Sequence, residues 1–198
     1  MAGLWHLRLG RGDLAGAGPS HRAHDFQLEK SIPKETIMSA IPNGYPASAT
    51  EAFAVLQSHD RLSIDDLKVL AMIEQSGEAF YMAMARAAGN TEARALLERN
   101  AHEELGHAHR ALNAIRLLGG TFALPKAEEN PYALPAFFDG LDITFLSELI
   151  KGEEGGDASY QKWADNEPNP DVAGLYRLNG SEEIGHGQRV AKVIALLQ

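Results

Sequence analysis

Residues 100–110 read NAHEELGHAHR, and residues 179–189 read NGSEEIGHGQR. Six of these eleven positions coincide at an offset of 79: Asn100 with Asn179, Glu103 with Glu182, Glu104 with Glu183, Gly106 with Gly185, His107 with His186 and Arg110 with Arg189. The same offset, without a gap, carries the stretch before it. Asp60, Leu62, Ile64, Leu67 and Leu70 fall on Asp139, Leu141, Ile143, Leu146 and Leu149, and Glu74, Gly77 and Tyr81 fall on Glu153, Gly156 and Tyr160. Further on, Ile115, Leu117 and Leu118 fall on Ile194, Leu196 and Leu197. A repeat kept for packing alone preserves apolar positions. This one also preserves glutamate, histidine and tyrosine, for which packing gives no reason.

The repeat lies in a region that reads as four long helices, an all-α fold with no strand-like alternation. The first runs from about 61 to 88 and stops at Gly89-Asn90. Thr91 is the expected N-cap of a second, from about 92 to 118, which Gly119-Gly120 ends. A segment with Pro125, Pro131 and Pro135 follows. The third helix runs from about 140 to 165, and Asp171 is expected to cap a fourth that continues to Leu197. Short loops make each successive pair an antiparallel hairpin, and the connection from about 119 to 139 is long enough to run back along the bundle. Two pseudo-symmetric helix hairpins joined by a long crossover are therefore expected over 60–198. Residues 1–59 read as a leader, rich in Gly, Pro, Ser and His and largely disordered or irregular, with one short helix expected at 48–58. Translation from Met38 is the alternative account of its first part.

Composition narrows the function classes. The chain has 198 residues, 44% hydrophobic and 23% charged, and no cysteine, which excludes disulfides, thiolate metal sites and iron–sulfur clusters within it. A net charge of −9 argues against a nucleic-acid binder. No apolar run reaches the length of a membrane span, and residues 1–18 lack the features of a secretory signal or transit peptide. Cytoplasm is the default expectation.

The polar members of the repeat share faces with the core. Glu74 lies seven residues after Leu67 and four after Leu70, and Glu153 stands the same way to Leu146 and Leu149, so both carboxylates are expected to point inward. Glu104 and His107 are three apart and share one face, as do Glu183 and His186. The inventory is one inward glutamate from each of two helices and a Glu-x-x-His from each of the other two, with 30 residues from inward glutamate to motif glutamate in both halves. Unpaired buried carboxylates are costly and repel one another. Two divalent cations would balance four carboxylates, and six protein ligands with bridging carboxylates leave open positions. Imidazole with carboxylate suits Fe or Mn, with Zn a further option.

On these residues the sequence resembles the ferritin-like di-iron carboxylate superfamily, and within it the rubrerythrin-like group. The resemblance covers about residues 60–198 and is carried by Glu74 with Tyr81, Glu103-Glu104-Leu105-Gly106-His107, Glu153 with Tyr160, and Glu182-Glu183-Ile184-Gly185-His186. It implies a ferritin-like four-helix bundle whose metal ligands are Glu74, Glu104, His107, Glu153, Glu183 and His186, with Glu104 and Glu153 as bridges. It implies a cofactor of two Fe ions, with Mn or a mixed pair as variants. Glu103 is expected to bond His186 and Glu182 to bond His107, fixing the tautomer of each. Tyr81 and Tyr160 are expected to donate hydrogen bonds to ligand carboxylates. Glu78 and Asp157, also paired by the offset, compete for that outer role. Gly77 and Gly156 allow either close helix contact or room for a small oxidant. His102 and His109 read as surface residues, His59 as lying outside the bundle, and Met72, Met82 and Met84 as core filler.

The implied chemistry is an oxidoreductase reaction: Fe(II) is oxidised by dioxygen or hydrogen peroxide, in the manner of a ferroxidase or peroxidase. The chain lacks the cysteine-ligated module of full-length rubrerythrins, so a separate electron donor is expected. The position three residues after Glu153, where many rubrerythrins carry a further carboxylate, is Gly156, which counts against specialised peroxide reduction. Without a fifth short helix, a homodimer is expected rather than a large storage shell. The rival readings are a non-catalytic iron-binding or iron-handling protein and a di-iron oxygenase acting on an organic substrate.

Overall fold

A computed structural model of the chain describes residues 41–133 and 138–198. The first forty residues of the leader expected over 1–59, Met38 among them, lie outside the described residues. Among the described residues there are five α-helices, one short 3-10 turn and no strand. They are α1 (Ala49–Ser58), α2 (Ile64–Ala87), α3 (Thr91–Leu117), α4 (Ile143–Asn166) and α5 (Pro170–Leu197), with the 3-10 turn at Ala127–Glu129 between α3 and α4. No described helix is long and apolar enough to cross a membrane.

Local chemistry sets the helix ends. Ser63 and Asp66 form a capping box at the start of α2, each side chain bonding the other's backbone N–H. The cap of α3 is Asn90, whose Oδ1 accepts from the N–H groups of Glu92 and Ala93, and not Thr91 as expected. Asn169 caps α5 in the same way, with Pro170 at its first position, so Asp171 lies inside the first turn. In both cases an Asn one or two residues earlier reaches two orphan N–H groups. At the end of α3, Gly119 adopts φ +84°. Gly120 N–H then reaches the Ile115 carbonyl, and Gly119 N–H that of Arg116, a Schellman closure.

Packing divides the four long helices into two apolar layers with a polar gap between them. The first cluster takes Leu67, Leu70 and Met72 from α2, Ala111, Ala114 and Ile115 from α3, Tyr160 and Trp163 from α4, and Val172 and Tyr176 from α5. The second takes Phe80, Tyr81 and Met84 from α2, Ala93, Leu97 and Ala101 from α3, Leu146 and Leu149 from α4, and Val190 and Val193 from α5. Sequence order within the clusters makes α2 and α5 run one way and α3 and α4 the other. The helices thus form an all-α bundle of two antiparallel hairpins, α2–α3 and α4–α5, which also meet along α3 and α5.

The connection after α3 returns along this bundle. Its Phe122 and Leu124 pack on the first cluster and its Phe138 on the second. Asn130 pins it midway by donating to the Met72 carbonyl (2.7 Å) and to Gln75 Oε1 (2.8 Å).

The short helix expected at 48–58 is α1, and the bundle's core extends into it. Ala52, Phe53 and Leu56 are buried in the first cluster, and the Phe53 ring meets Trp163 edge-on at 6.3 Å. His59, read as outside the bundle, bonds Asp66 through Nδ1 (2.8 Å) and accepts at its carbonyl from Trp163 Nε1 (3.1 Å). The boundary drawn between 59 and 60 is therefore no break in packing. Ala49, Ala52, Phe53 and Leu56 recur at one-turn spacing, but over too few turns for the sequence to show that α1 joins the core.

Candidate metal centre

Each long helix places its repeated polar residues in the gap between the two apolar clusters. Glu74 sits on α2 between Ile73 and the small pair Ser76 and Gly77, and Glu153 occupies the matching place on α4. Glu104 with His107 on α3, and Glu183 with His186 on α5, occupy one inward turn each. All six are buried, with exposures of 0–2%. Such burial of four carboxylates is tolerable only beside compensating positive charge.

The six residues converge in two overlapping groups. Ligand atoms of Glu74, Glu104, His107 and Glu183 lie within 4.8 Å of one another, and so do those of Glu104, Glu153, Glu183 and His186. The shared members are Glu104 and Glu183. This corrects the expected bridging pair: Glu153 belongs to one group only, and the two Glu-x-x-His glutamates are common to both. The physical reason is that α3 and α5 pack directly against each other, so their carboxylates meet at the middle.

Both imidazoles turn Nδ1 inward and Nε2 outward. His107 Nδ1 lies 3.6 Å from Glu74 Oε2 and 3.3 Å from Glu183 Oε1. His186 Nδ1 lies 3.5 Å from Glu104 Oε1, from Glu153 Oε2 and from Glu183 Oε2. The two rings stack at 5.2 Å between centroids. Outside, His107 Nε2 meets Glu182 Oε2 at 3.1 Å in a hydrogen bond. His186 Nε2 stands 3.3 Å from Glu103 Oε2, close enough for attraction but without hydrogen-bond alignment. The structure thus brings Glu182 to His107 and Glu103 to His186.

Tyr160 donates to Glu74 Oε1 (2.6 Å), and Tyr81 donates to Glu153 Oε1. Glu78 and Asp157 are half-buried and stand outside both groups; Asp157 accepts from Gln161 on its own helix (2.8 Å). Gly77 and Gly156 make room for carboxylates. A Cβ at Gly77 would lie 2.8 Å from Glu104 Oε2, and one at Gly156 would lie 3.2 Å from Glu183 Cδ. The space read as room for a small oxidant is therefore occupied by the two shared side chains. His102 and His109 are exposed, and Met72 and Met84 are buried in the apolar clusters.

Charge in the centre is strongly coupled. Burial, then the charges of Glu183 and Glu74, drive the Glu104 carboxyl well above the usual range. Burial and Glu183 push Glu153 up to about 7. Burial also works against the charge on Glu183, yet the nearby Glu153 carboxyl and the His107 and His186 imidazoles hold it well below the usual range. The symmetric pair Glu104 and Glu183 splits because a proton taken by one carboxylate leaves the charge on the other. Burial disfavours charged imidazole, but Glu103, Glu153 and Glu183 push His186 up to about 12, and Glu182, Glu183 and Glu74 raise His107 strongly. Outside, burial is outweighed at Glu103 by His186, Arg99 and Arg189, which hold it at about 2, and Glu182 is lowered similarly by His107 and Arg110.

The atoms facing inward have no hydrogen-bond partner: Glu74 Oε2, both oxygens of Glu104, Glu153 Oε2, His107 Nδ1 and His186 Nδ1. Buried polar atoms are nearly always satisfied. Six orphaned nitrogen and oxygen atoms converge on one gap, and they are of the types that ligate metals, so these buried Glu/His groups could hold a metal ion. Four further residues were marked by the repeat, yet spacing gave them no role: Asn100, Asn179, Arg110 and Arg189 surround the centre and bond one another across α3 and α5. No protein-family model matches this sequence, and no curated protein matches it.

Proposed function

We propose that this chain is a ferritin-like, rubrerythrin-like oxidoreductase that holds two iron ions in its central gap. There it couples oxidation of Fe(II) to reduction of dioxygen or hydrogen peroxide. The observation that carries the reading is the set of inward, unpartnered atoms from Glu74, Glu104, His107, Glu153 and His186, gathered with Glu183 into two ligand groups. Two overlapping groups sharing Glu104 and Glu183 suit a pair of cations bridged by those carboxylates.

When bound, an iron pair supplies two electrons and open coordination positions. The balance is 2 Fe(II) + H2O2 + 2 H+ → 2 Fe(III) + 2 H2O, or 2 Fe(II) + O2 + 2 H+ → 2 Fe(III) + H2O2. Glu74 and Glu153 each have one oxygen fixed by a tyrosine, which leaves the other oriented toward the nearby imidazole. Glu182 accepts from His107 Nε2, so loss of the ring's second proton to a bound cation would leave the lone pair at Nδ1, on the inner side. The apolar clusters at either end limit water in the gap. Return to Fe(II) would use a separate electron donor.

The test is anaerobic loading of the purified chain with Fe(II), followed by stopped-flow mixing with dioxygen and with peroxide. The expected result is rapid oxidation of two irons per chain. Binding with oxidation no faster than free Fe(II) would favour an iron carrier, and turnover of an added hydrocarbon would favour an oxygenase.

A further inference from the structure

Arg110 on α3 donates through Nη2 to Glu182 and through Nε to Asn179 Oδ1, both on α5. Arg189 on α5 donates through Nη2 to Glu103 and through Nε to Asn100 Oδ1 (2.5 Å), both on α3. Each guanidinium thus spans two acceptors, and each acceptor leads inward. From Arg110, Glu182 reaches His107, while Asn179 Nδ2 donates to the Tyr160 hydroxyl (3.0 Å), which bonds Glu74. From Arg189, Glu103 faces His186, while the Asn100 amide donates to the His186 carbonyl (3.4 Å) and acts on the Tyr81 hydroxyl, which bonds Glu153.

His107 and Glu74 are the two members that only the first ligand group contains, and His186 and Glu153 are the two that only the second contains. We infer that Arg110 and Arg189 are positioning residues, each holding the two private ligands of one metal position and not those of the other. The inference rests on the two-metal reading above.

The clamps also touch the repeated glycines. A Cβ at Gly185 would meet Arg189 Nη1 at 3.2 Å, a tight contact, so that glycine eases the guanidinium across its own helix, whereas one at Gly106 would meet Arg110 Nη1 at an ordinary 3.5 Å. Five of the six identities of the quoted stretches then have a place in both halves: ligand glutamate and histidine, outer glutamate, the arginine that clamps it and the asparagine that accepts from the arginine. A clamp serving only to join α3 to α5 would give no reason for this sorting by metal position. A planar, two-acceptor donor fits arginine, and lysine cannot reproduce it.

The test is anaerobic titration of the full chain with Co(II), read by its visible d–d absorption, alongside thermal denaturation. The wild-type protein is expected to take up two Co(II). Arg110→Gln should weaken one position by about 10–100-fold and spare the other. Added to Glu153→Gln, it should remove the remaining binding; added to Glu74→Gln, it should change little more. Arg189→Gln should show the reverse pattern. Arg110→Lys, which keeps the charge, should still weaken its position. Equal weakening of both positions, or a lowered Tm with both affinities intact, would overturn the inference while leaving two-metal binding standing. A wild-type chain that takes up no Co(II) would remove both.

Discussion

Tyr160 donates its hydroxyl proton to Glu74 at 2.6 Å, across 86 residues of chain, and so ties α4 to α2 inside the polar gap. Tyr81 returns the bond from α2 to Glu153 on α4. Each tyrosine satisfies one oxygen of an inward carboxylate and leaves the other free toward an imidazole. Burial and the Glu74 charge raise the Tyr160 hydroxyl well above its ordinary pKa, so it remains a donor at any working pH.

Tyr160→Phe leaves Glu74 Oε1 buried without its donor. We expect the metal-free protein to lose about 1–3 kcal/mol in urea denaturation. An unchanged midpoint would show that the hydroxyl contributes nothing net.

Gly77→Ala separates folding from metal binding. Alanine in a helix interior ordinarily stabilises by about 1 kcal/mol over glycine. Here its Cβ would lie 2.8 Å from the Glu104 carboxylate, whose free end can swing away when no cation holds it. The expected outcome is near-unchanged Tm without metal and metal affinity reduced at least about tenfold, since a shared ligand is displaced. Calorimetric titration beside a melting curve reads both. A lowered Tm with intact affinity would count against Glu104 as a ligand.

Metal uptake should release protons. His186 titrates at about 12 in the metal-free protein and His107 is raised strongly, whereas a metal-bound imidazole has lost its inner proton. Uptake followed with a pH indicator in weak buffer should expel about two protons or more per chain, with affinity rising as pH rises. The sign for the metal-free protein is opposite. His186 has a folded value above its ordinary 6.5, so its stabilising contribution is complete below 6.5, declines above it and is gone beyond about 12. Melting curves across this range should show the stabilisation conferred by metal growing with pH.

Asp66 governs the acid side. Burial raises it, but bonds from Ser63 Oγ (2.6 Å), Tyr45 (2.5 Å), Ser63 N–H (2.7 Å) and His59 (2.8 Å) hold its folded value below the usual 3.8. Its contribution is therefore present above 3.8 and is lost as pH falls through the lowered folded value. Asp66→Asn should cost about 1–2 kcal/mol at neutral pH, and the gap from wild type should shrink in urea denaturation below 3.8. A gap independent of pH would mean that Asp66 acts by packing alone.

Phe53→Ala tests whether α1 belongs to the bundle. Phe53 is 4% exposed and packs on Trp163. Truncating it should cost about 3–5 kcal/mol in a single cooperative transition. A change under about 1 kcal/mol would make α1 an appendage.

Parts of the centre were legible in the chain because they are local. A three-residue spacing puts Glu104 beside His107 by helical geometry alone, and the offset of 79 says that Glu183 and His186 do the same. Arg110 was visible as a repeated residue, yet its partners are 69 and 72 residues away and no local rule selects them. The caps at Asn90 and Asn169 were missed because Thr91 and Asp171 have equally suitable side chains, and only backbone geometry decides which residue is last outside the helix.

By itself, the sequence determined that four helices carry a duplicated set of four inward carboxylates and two imidazoles, since periodicity and repetition are properties of the chain alone. Only the tertiary structure decided that Glu104 and Glu183 are the shared pair, that both imidazoles present Nδ1, and that the glycines shelter side chains. Those outcomes depend on the rotation and spacing of one helix against another. That relation is set by how the apolar clusters at the two ends interlock, and no single segment encodes it.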